Sequence, residues 1–238
     1  MDQPLAEGAE IALTPAQAHH LGVVLRRGPG DALRAFEAGS GEFAAEIAAL
    51  RKDRGAIRLG ARLRPPAPEP EVRALIALLK RDAMGWAVEK ATELGATLIQ
   101  PVLTRRCVAD HANTARLQAT ARGAAEQCER LSVPLVLDAR PLHAVLAGWD
   151  GAKLLVAAER RDAPPLLRSM AGIAPPCGLL VGPEGGFHPA ELDDLAGRDF
   201  VAMTSLGPRI LRAETALVAG LAGIALALDT LRPATGNE

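Results

Sequence analysis

Apolar positions follow two different rhythms along the chain. Between residues 32 and 59 they come in short, partly alternating runs, Ala32-Leu33-Arg34-Ala35-Phe36, Gly41-Glu42-Phe43-Ala44-Ala45-Glu46-Ile47 and Gly55-Ala56-Ile57-Arg58-Leu59, separated by Gly, Asp and Ser. Side chains alternate between faces along a strand, so this spacing predicts short half-buried strands and a small β-barrel. Ahead of them, Thr14-Pro15-Ala16-Gln17 predicts a helix start. Threonine caps, proline at the first position loses no hydrogen bond, and glutamine reaches back to the cap.

From residue 72 onward the rhythm lengthens. Strand-like apolar runs at 72–79, 97–102, 135–137, 153–157, 177–181 and 200–204 are interspersed with helical patterns at 84–94, closed by Gly95, at 113–128 and at 216–228. Strands alternating with helices predict an α/β domain on a mostly parallel sheet. Between the two rhythms stands Arg64-Pro65-Pro66-Ala67-Pro68-Glu69-Pro70, with four prolines in seven residues. Proline donates no backbone hydrogen bond, so this segment continues neither a helix nor a central strand. The predicted domains are therefore 1–68 and 71–238. The 216–228 helix is apolar all round, which predicts burial in the core or against a second subunit.

Two glycine-proline loops punctuate the second half. Leu180-Val181-Gly182-Pro183-Glu184-Gly185-Gly186-Phe187 follows the 177–181 strand, and Ser205-Leu206-Gly207-Pro208-Arg209-Ile210-Leu211-Arg212-Ala213-Glu214-Thr215-Ala216 follows the 200–204 strand. A strand-helix-strand unit reads as a right-handed crossover with both loops at carboxyl ends of parallel strands, where open sheets bind ligands. One shared crevice is expected. Gly182, Gly185 and Gly186 let a ligand approach the backbone closely. Their spacing matches neither the dinucleotide nor the phosphate-loop pattern. The same stretch also reads as a tight strand-to-helix turn with Pro189 at the first helical position and Glu191 in the first turn. In the second loop Arg209, Arg212 and Glu214 gather at the start of an apolar helix. Arginine accepts no proton near neutral pH, but its planar fork suits a phosphate or a developing oxyanion. Glu214 is either a proton acceptor or a structural group that holds an arginine or caps the helix.

Composition narrows these options. A chain of 238 residues with 49% hydrophobic and 23% charged residues is neither disordered nor fibrous, and it can bury one sizeable core or a medium core with a satellite. The net charge of −1 means that any polyanion must be met by a local patch. The richest candidate is Arg51, Lys52, Arg54, Arg58, Arg62 and Arg64 around Asp53, which Arg26, Arg27 and Arg34 can join. It is either a polyanion-facing surface or a solvated edge that guards a barrel against aggregation. With no Tyr, four Phe and two Trp, RNA binding would rest on cations and shape rather than on aromatic stacking. Trp86 and Trp149 read as packing residues and Cys128 as either a small buried residue or a partly exposed thiol. Cys107, Cys128, Cys177 and the five histidines show no ligand spacing, which predicts no metal and a reduced, cytoplasmic setting. Met1-Asp2-Gln3-Pro4 opens with no export signal, and the 216–228 stretch is shorter than the roughly 18–20 residues that span a bilayer.

The two loops resemble the C-terminal signature loops of the 16S ribosomal RNA (uracil-N3) methyltransferases, members of the knotted SPOUT class. The resemblance covers nearly the whole chain. His20 with Val24-Leu25-Arg26 is similar to the family's N-terminal segment. Lys80, Asp82 and Met84, followed by Glu89-Lys90-Ala91-Thr92-Glu93-Leu94-Gly95, are similar to its first α/β signature, and Ala124-Ala125-Glu126-Gln127-Cys128 with Val133-Pro134 to its central helix. It implies an α/β methyltransferase domain with a parallel sheet and a C-terminal trefoil knot, an N-terminal PUA-like RNA-binding barrel, and a homodimer. The implied cofactor is S-adenosylmethionine and the implied partner is 16S rRNA in the small ribosomal subunit, with no membrane. Carried onto this chain, the resemblance implies a cofactor pocket of Leu180, Gly182, Pro183, Glu184, Gly185, Gly186, Leu206, Gly207, Ile210 and Leu211. By type and position the candidates are Arg26, Arg27, Arg51, Lys52, Arg54 and Arg58 for RNA contacts and Arg209, Arg212 and Glu214 for catalysis, with solvent as the alternative proton acceptor. The implied reaction is methylation of N3 of a decoding-region uridine; the alternative is a catalytically silent rRNA-binding assembly factor on the same fold. One departure stands out. Where the family often has serine and then acidic residues, this chain has His188-Pro189-Ala190-Glu191, which weakens the expectation of a helix cap at 188.

Overall fold

The computed structural model describes residues 3–158 and 162–230, so Met1 and Asp2 of the opening segment lie outside the described residues. The chain divides into two compact units, Met1–Pro68 and Glu69–Glu238.

In the first unit, β1 (Glu10–Leu13), β2 (Ala32–Glu37), β3 (Gly41–Arg51) and β4 (Arg54–Arg64) form an antiparallel sheet in the order β1-β4-β3-β2, with α1 (Pro15–His19) after β1. Strands β3 and β4 run 11 residues each, longer than alternation alone predicts. Register shifts at Glu42/Phe43, Phe43/Ala45 and Ile47/Ala49 explain the difference, because each bulge interrupts the period of two without ending the strand. Phe43, Ala45, Ile47, Ile57 and Leu59 fill this unit's core. The capping box forms as its residue types dictate: Thr14 Oγ1 accepts from the Gln17 amide and Gln17 Oε1 accepts from the Thr14 amide. After α1 the chain widens into a π-helical turn, His20–Val24, where the Leu25 amide donates to the His20 carbonyl five residues earlier.

The second unit is built on β5 (Val72–Ala77), β6 (Leu98–Leu103), β7 (Leu135–Val136), β9 (Lys153–Ala157), β10 (Cys177–Val181) and β11 (Val201–Thr204), ordered β11-β9-β10-β5-β6-β7, with β8 (Arg140–Pro141) pairing on β6. Every pairing in it is parallel. The helices are α2 (Arg81–Glu93), α3 (Thr114–Gln127), α4 (Leu142–Ala147), α5 (Leu166–Ser169), α6 (Pro189–Ala196) and α7 (Ala213–Asp229). One apolar cluster joins Ile76, Leu155, Leu179 and Val181 to α2, α3 and α7, and another joins Leu75, Val156 and Leu180 to α4 and α6. Successive strand residues enter opposite clusters, so the central strands are apolar on both faces and appear in the sequence as continuous runs.

Strand β9 lies between β10 and β11 and pairs with both. In the last helix Ala213, Ala216, Leu217, Gly220, Leu221, Ile224 and Leu228 form the buried stripe, while Leu226 is exposed. One expectation is corrected here. Trp86 is 43% exposed and stacks under the Lys90 ammonium instead of filling the core. Trp149 does pack, against Phe200 and beneath Arg73, and its indole N–H donates to the Ala152 carbonyl.

Arg130 ties several parts of this unit together. Its guanidinium donates to the Thr92 and Ala96 carbonyls, to the Glu69 carboxylate and to Ser132 Oγ, and its side chain is 9% exposed. It thereby adds a donor to the Thr92 carbonyl at the C-terminus of α2, which also accepts from the Gly95 amide, supplies one to the Ala96 carbonyl just beyond, and anchors the first residue of the unit. Arg130→Ala is expected to cost about 3 kcal/mol of unfolding free energy, since it removes these hydrogen bonds together and leaves a half-buried carboxylate without its cation. Arg130→Lys is expected to recover only part of that, because an ammonium cannot reproduce the planar fork. Denaturant unfolding of both variants measures the effect.

Candidate functional site

The two glycine-proline loops meet. Parallel pairing of β9 with both β10 and β11 sets the carboxyl ends of the three strands side by side, and a cleft of about 580 Å³, counted with its open mouth, lies there. Its walls are Ala157 and Ala158 at the end of β9, Val181 to Glu184 after β10, and Leu206, Gly207, Arg209, Ile210, Leu211, Ala213 and Ala216 from the second loop and the start of α7. Gly182, Pro183, Glu184, Leu206, Gly207, Ile210 and Leu211 of the expected pocket stand on it, and so does Arg209. Leu180, Gly185 and Gly186 are not among its lining residues. Leu180 is fully buried in the cluster on the opposite face of the sheet, as its place one residue before Val181 requires. The four alanines and Val181 were not identified from the sequence. The only available signal was their place at the carboxyl end of a predicted strand or on the first turns of the predicted helix.

Individual glycines have distinct reasons to be glycine. A Cβ on Gly182 would stand 2.9 Å from Cε2 of Phe187, so its absence lets the buried Phe187 ring fold back under the loop. Gly207 has φ +117°, a conformation that L side chains rarely adopt, and its amide donates to Ser205 Oγ.

His188 does cap α6. Its Nδ1 accepts from the Ala190 amide, and Glu191 Oε2 accepts from the His188 amide. An imidazole nitrogen replaces the usual hydroxyl or carboxylate, which is why the residue type gave no cue. Glu191 also reaches the segment after β6, where its Oε1 accepts from the Arg105 amide, and Arg106 Nη1 donates to the Gly185 carbonyl. Cys107 Sγ accepts from the Thr104 amide and closes that segment on itself.

The charged residues of the second loop take up different positions. Arg209 is exposed and lines the cleft. Arg212 is exposed at the N-cap of α7, where its side chain makes no capping bond. Glu214 lies in the first turn of α7, and its Oε2 is buried with no hydrogen-bond partner. A buried acceptor without a donor costs about 1–3 kcal/mol, and the helix N-terminus beside it favours negative charge.

In the first unit the expected cations divide into two groups. Arg58 pairs with Glu10, Arg54 with Asp53, and both Arg34 and Arg64 pair with the buried Glu42. Arg26, Arg27, Arg51, Lys52 and Arg62 form no ion pair among the described residues.

Comparison with known proteins sets this geometry in context. Residues 66–225 match the family model described as an RNA methyltransferase domain. The chain is 34% identical to the ribosomal RNA small subunit methyltransferase E of Rickettsia conorii, over 93% of this chain and 92% of that protein. It is 30% identical to the protein of the same name from Bacillus subtilis, over 97% and 95%. Among solved structures it is similar to the ribosomal RNA small subunit methyltransferase E of Neisseria gonorrhoeae bound to S-adenosyl methionine, with a TM-score of 0.79, 28% identity and coverage of 97% and 95%. A methyltransferase from Legionella pneumophila in complex with the bound cofactor SAM gives a TM-score of 0.80 at 28% identity, covering 95% and 96%.

Gly182→Ala is expected to lower stability by about 1–3 kcal/mol through overpacking against Phe187. Gly182→Ala combined with Phe187→Leu should regain part of the loss. Thermal unfolding of the three proteins tests this, and an unchanged midpoint for Gly182→Ala would remove the packing explanation.

Proposed function

Because the chain belongs to the ribosomal RNA small subunit methyltransferase E family, we propose that it methylates N3 of a decoding-region uridine in 16S rRNA, with S-adenosylmethionine as donor. The observation that carries this reading is the single cleft at the carboxyl ends of β9, β10 and β11, with both glycine-proline loops and Arg209 in its walls.

The cleft suits the cofactor by its chemistry. Ala157, Ala158, Ala213 and Ala216 leave room beside the apolar Leu206, Ile210 and Leu211, which favours a flat, weakly polar base. The Glu184 carboxylate and the loop backbone supply the few polar groups that a ribose and an amino-acid moiety require. Leu180, Gly185 and Gly186 serve in this proposal by shaping and supporting the first loop. When bound, S-adenosylmethionine supplies a methyl group on a positively charged sulfur.

The protein's own residues handle the uracil. N3 carries an imide proton, and its loss leaves negative charge shared with the flanking carbonyl oxygens. Arg209, in the wall of the cleft, and Arg212, three residues further on, stabilise that charge with guanidinium donors closing on the bound base. Glu214 takes the proton: it follows Ala213, which lines the cleft, and its Oε2 has no hydrogen-bond donor among the described residues. Since N3 lies on the pairing edge, the target uridine must be unpaired or turned out of its stack.

The same proposal includes the C-terminal trefoil knot, a PUA-like RNA-binding role for the first unit, a homodimer, and action on the small ribosomal subunit in the cytoplasm. Arg26, Arg27, Arg51 and Lys52 meet RNA phosphates directly. Arg54 and Arg58 reach them by exchanging the exposed partners Asp53 and Glu10.

Arg209→Ala and Arg212→Ala are expected to slow methyl transfer to small ribosomal subunits by on the order of 100-fold, the typical cost of removing one oxyanion donor. S-adenosylmethionine affinity, measured by calorimetry, should change far less, and undiminished transfer in both variants would overturn the assignment. Glu214→Gln keeps the shape and removes the group that can take up the proton. Its rate deficit should be large at neutral pH and shrink as pH rises, because hydroxide takes over the proton; a deficit independent of pH would assign Glu214 a structural role.

A further inference from the structure

The first unit carries an exposed apolar knuckle that its own core does not explain. Val23, Val24 and Leu25 are consecutive and 55%, 59% and 51% exposed, although each is an aliphatic side chain that burial would favour by about 1.5–3 kcal/mol. They ride on the π-helical turn His20–Val24 and are followed by Arg26, at φ +53°, and Arg27. The five residues form an unbroken exposed run.

The knuckle is placed beside the unpaired cations. A Cβ on Gly22 would lie 3.5 Å from the Leu50 side chain, so the turn rests on the end of β3. The next residues, Arg51 and Lys52, are exposed and, like Arg26 and Arg27, have no ion pair among the described residues. The cations that do hold carboxylates include Arg34 and Arg64, both on Glu42 in another part of the sheet. Arg62, also without an ion pair among the described residues, lies opposite Phe43 further along β4, and Arg54 holds Asp53 at the β3–β4 turn. But four of the five cations of this unit without such a pair, Arg26, Arg27, Arg51 and Lys52, belong to the two segments that meet where Gly22 faces Leu50, beside the exposed aliphatic surface.

That pairing is selective about its partner. A continuous duplex presents phosphates outward and keeps its base faces stacked, which would leave the knuckle in water. An unpaired nucleotide offers phosphates and an apolar base face within a few ångströms of each other. Phe43 is buried and Phe36 half-buried, so the first unit offers no fully exposed phenylalanine ring for this task. Aliphatic side chains also pack on bases and wedge between them.

We propose that Val23-Val24-Leu25 with Arg26, Arg27, Arg51 and Lys52 forms one RNA-docking surface. The knuckle covers an unpaired or stack-ending base while the four cations hold the flanking phosphates. This inference rests on the rRNA reading above and adds to it that the first unit selects unpaired positions in the substrate.

The test uses the full chain with two RNAs of equal length, a hairpin with an unpaired loop and a perfect duplex, titrated at several salt concentrations. The unmodified protein is expected to prefer the hairpin by on the order of 10-fold, the scale of one base-stacking contact. Val24→Ser with Leu25→Ser should abolish the preference and leave the salt slope unchanged. Arg51→Gln with Lys52→Gln should weaken both RNAs and flatten the slope by roughly 0.7–0.9 per lost phosphate contact. Circular dichroism and thermal unfolding unchanged from the unmodified protein report that the first unit keeps its fold in both variants, and S-adenosylmethionine binding reports the same of the second unit. If the serine variant keeps the hairpin preference, or if it instead dissociates an oligomer in sedimentation, the knuckle is not an RNA contact and the inference falls. If the unmodified protein binds neither RNA nor S-adenosylmethionine, the broader reading of function fails.

Discussion

Parallel pairing along β9 is the constraint on which the cleft depends. Strand β9 holds β10 on one side and β11 on the other, all running the same way, so the chain segments leaving all three strands emerge at one edge. Parallel strands need crossover connections, and those connections put helices over both faces of the sheet. The consequence is a central strand, Cys177–Val181, with all five residues buried. Burial on both sides fixes its register, because a slip of one residue would exchange Leu180 with Val181 between two differently shaped clusters. The site therefore inherits its precision from the core rather than from the loops.

The loops are then braced by local chemistry. Phe187 occupies the space left by the missing side chain of Gly182, and Glu191 holds both the His188 cap and the Arg105 amide. These contacts join the first glycine loop to α6 and to the segment after β6. Against this supported background the unpaired Oε2 of Glu214 stands out. Buried acceptors are normally satisfied by the protein or by ordered water, so this one is an exception within the unit.

Much of this was legible in the sequence, for identifiable reasons. Strands β10 and β11, and the loops that end them, were visible because long apolar runs stop abruptly at glycine and proline. The proline-rich segment at 64–70 marked the change from short to long units. Other features left no periodic trace. Leu180 and Val181 are equally apolar, so a strand buried on both faces gives no sign of which residue faces the cleft. The helices Leu142–Ala147 and Leu166–Ser169 are too short to establish a period. The interposed β9 could not be inferred because strand order is a tertiary property. The His188 cap depends on an imidazole nitrogen in an acceptor role, and the division of the cations depends on where Glu10, Asp53 and Glu42 fall in the folded sheet. The resemblance to a methyltransferase family contributed what periodicity could not, namely a cofactor and a substrate for the cleft.

The most direct measurement is mass spectrometry of nucleosides from small ribosomal subunits that lack the modification, after incubation with the purified protein and S-adenosylmethionine. The account predicts new 3-methyluridine that depends on both protein and cofactor. Binding of the subunits without cofactor binding or any new methylated nucleoside would contradict it and leave an RNA-binding assembly factor in its place.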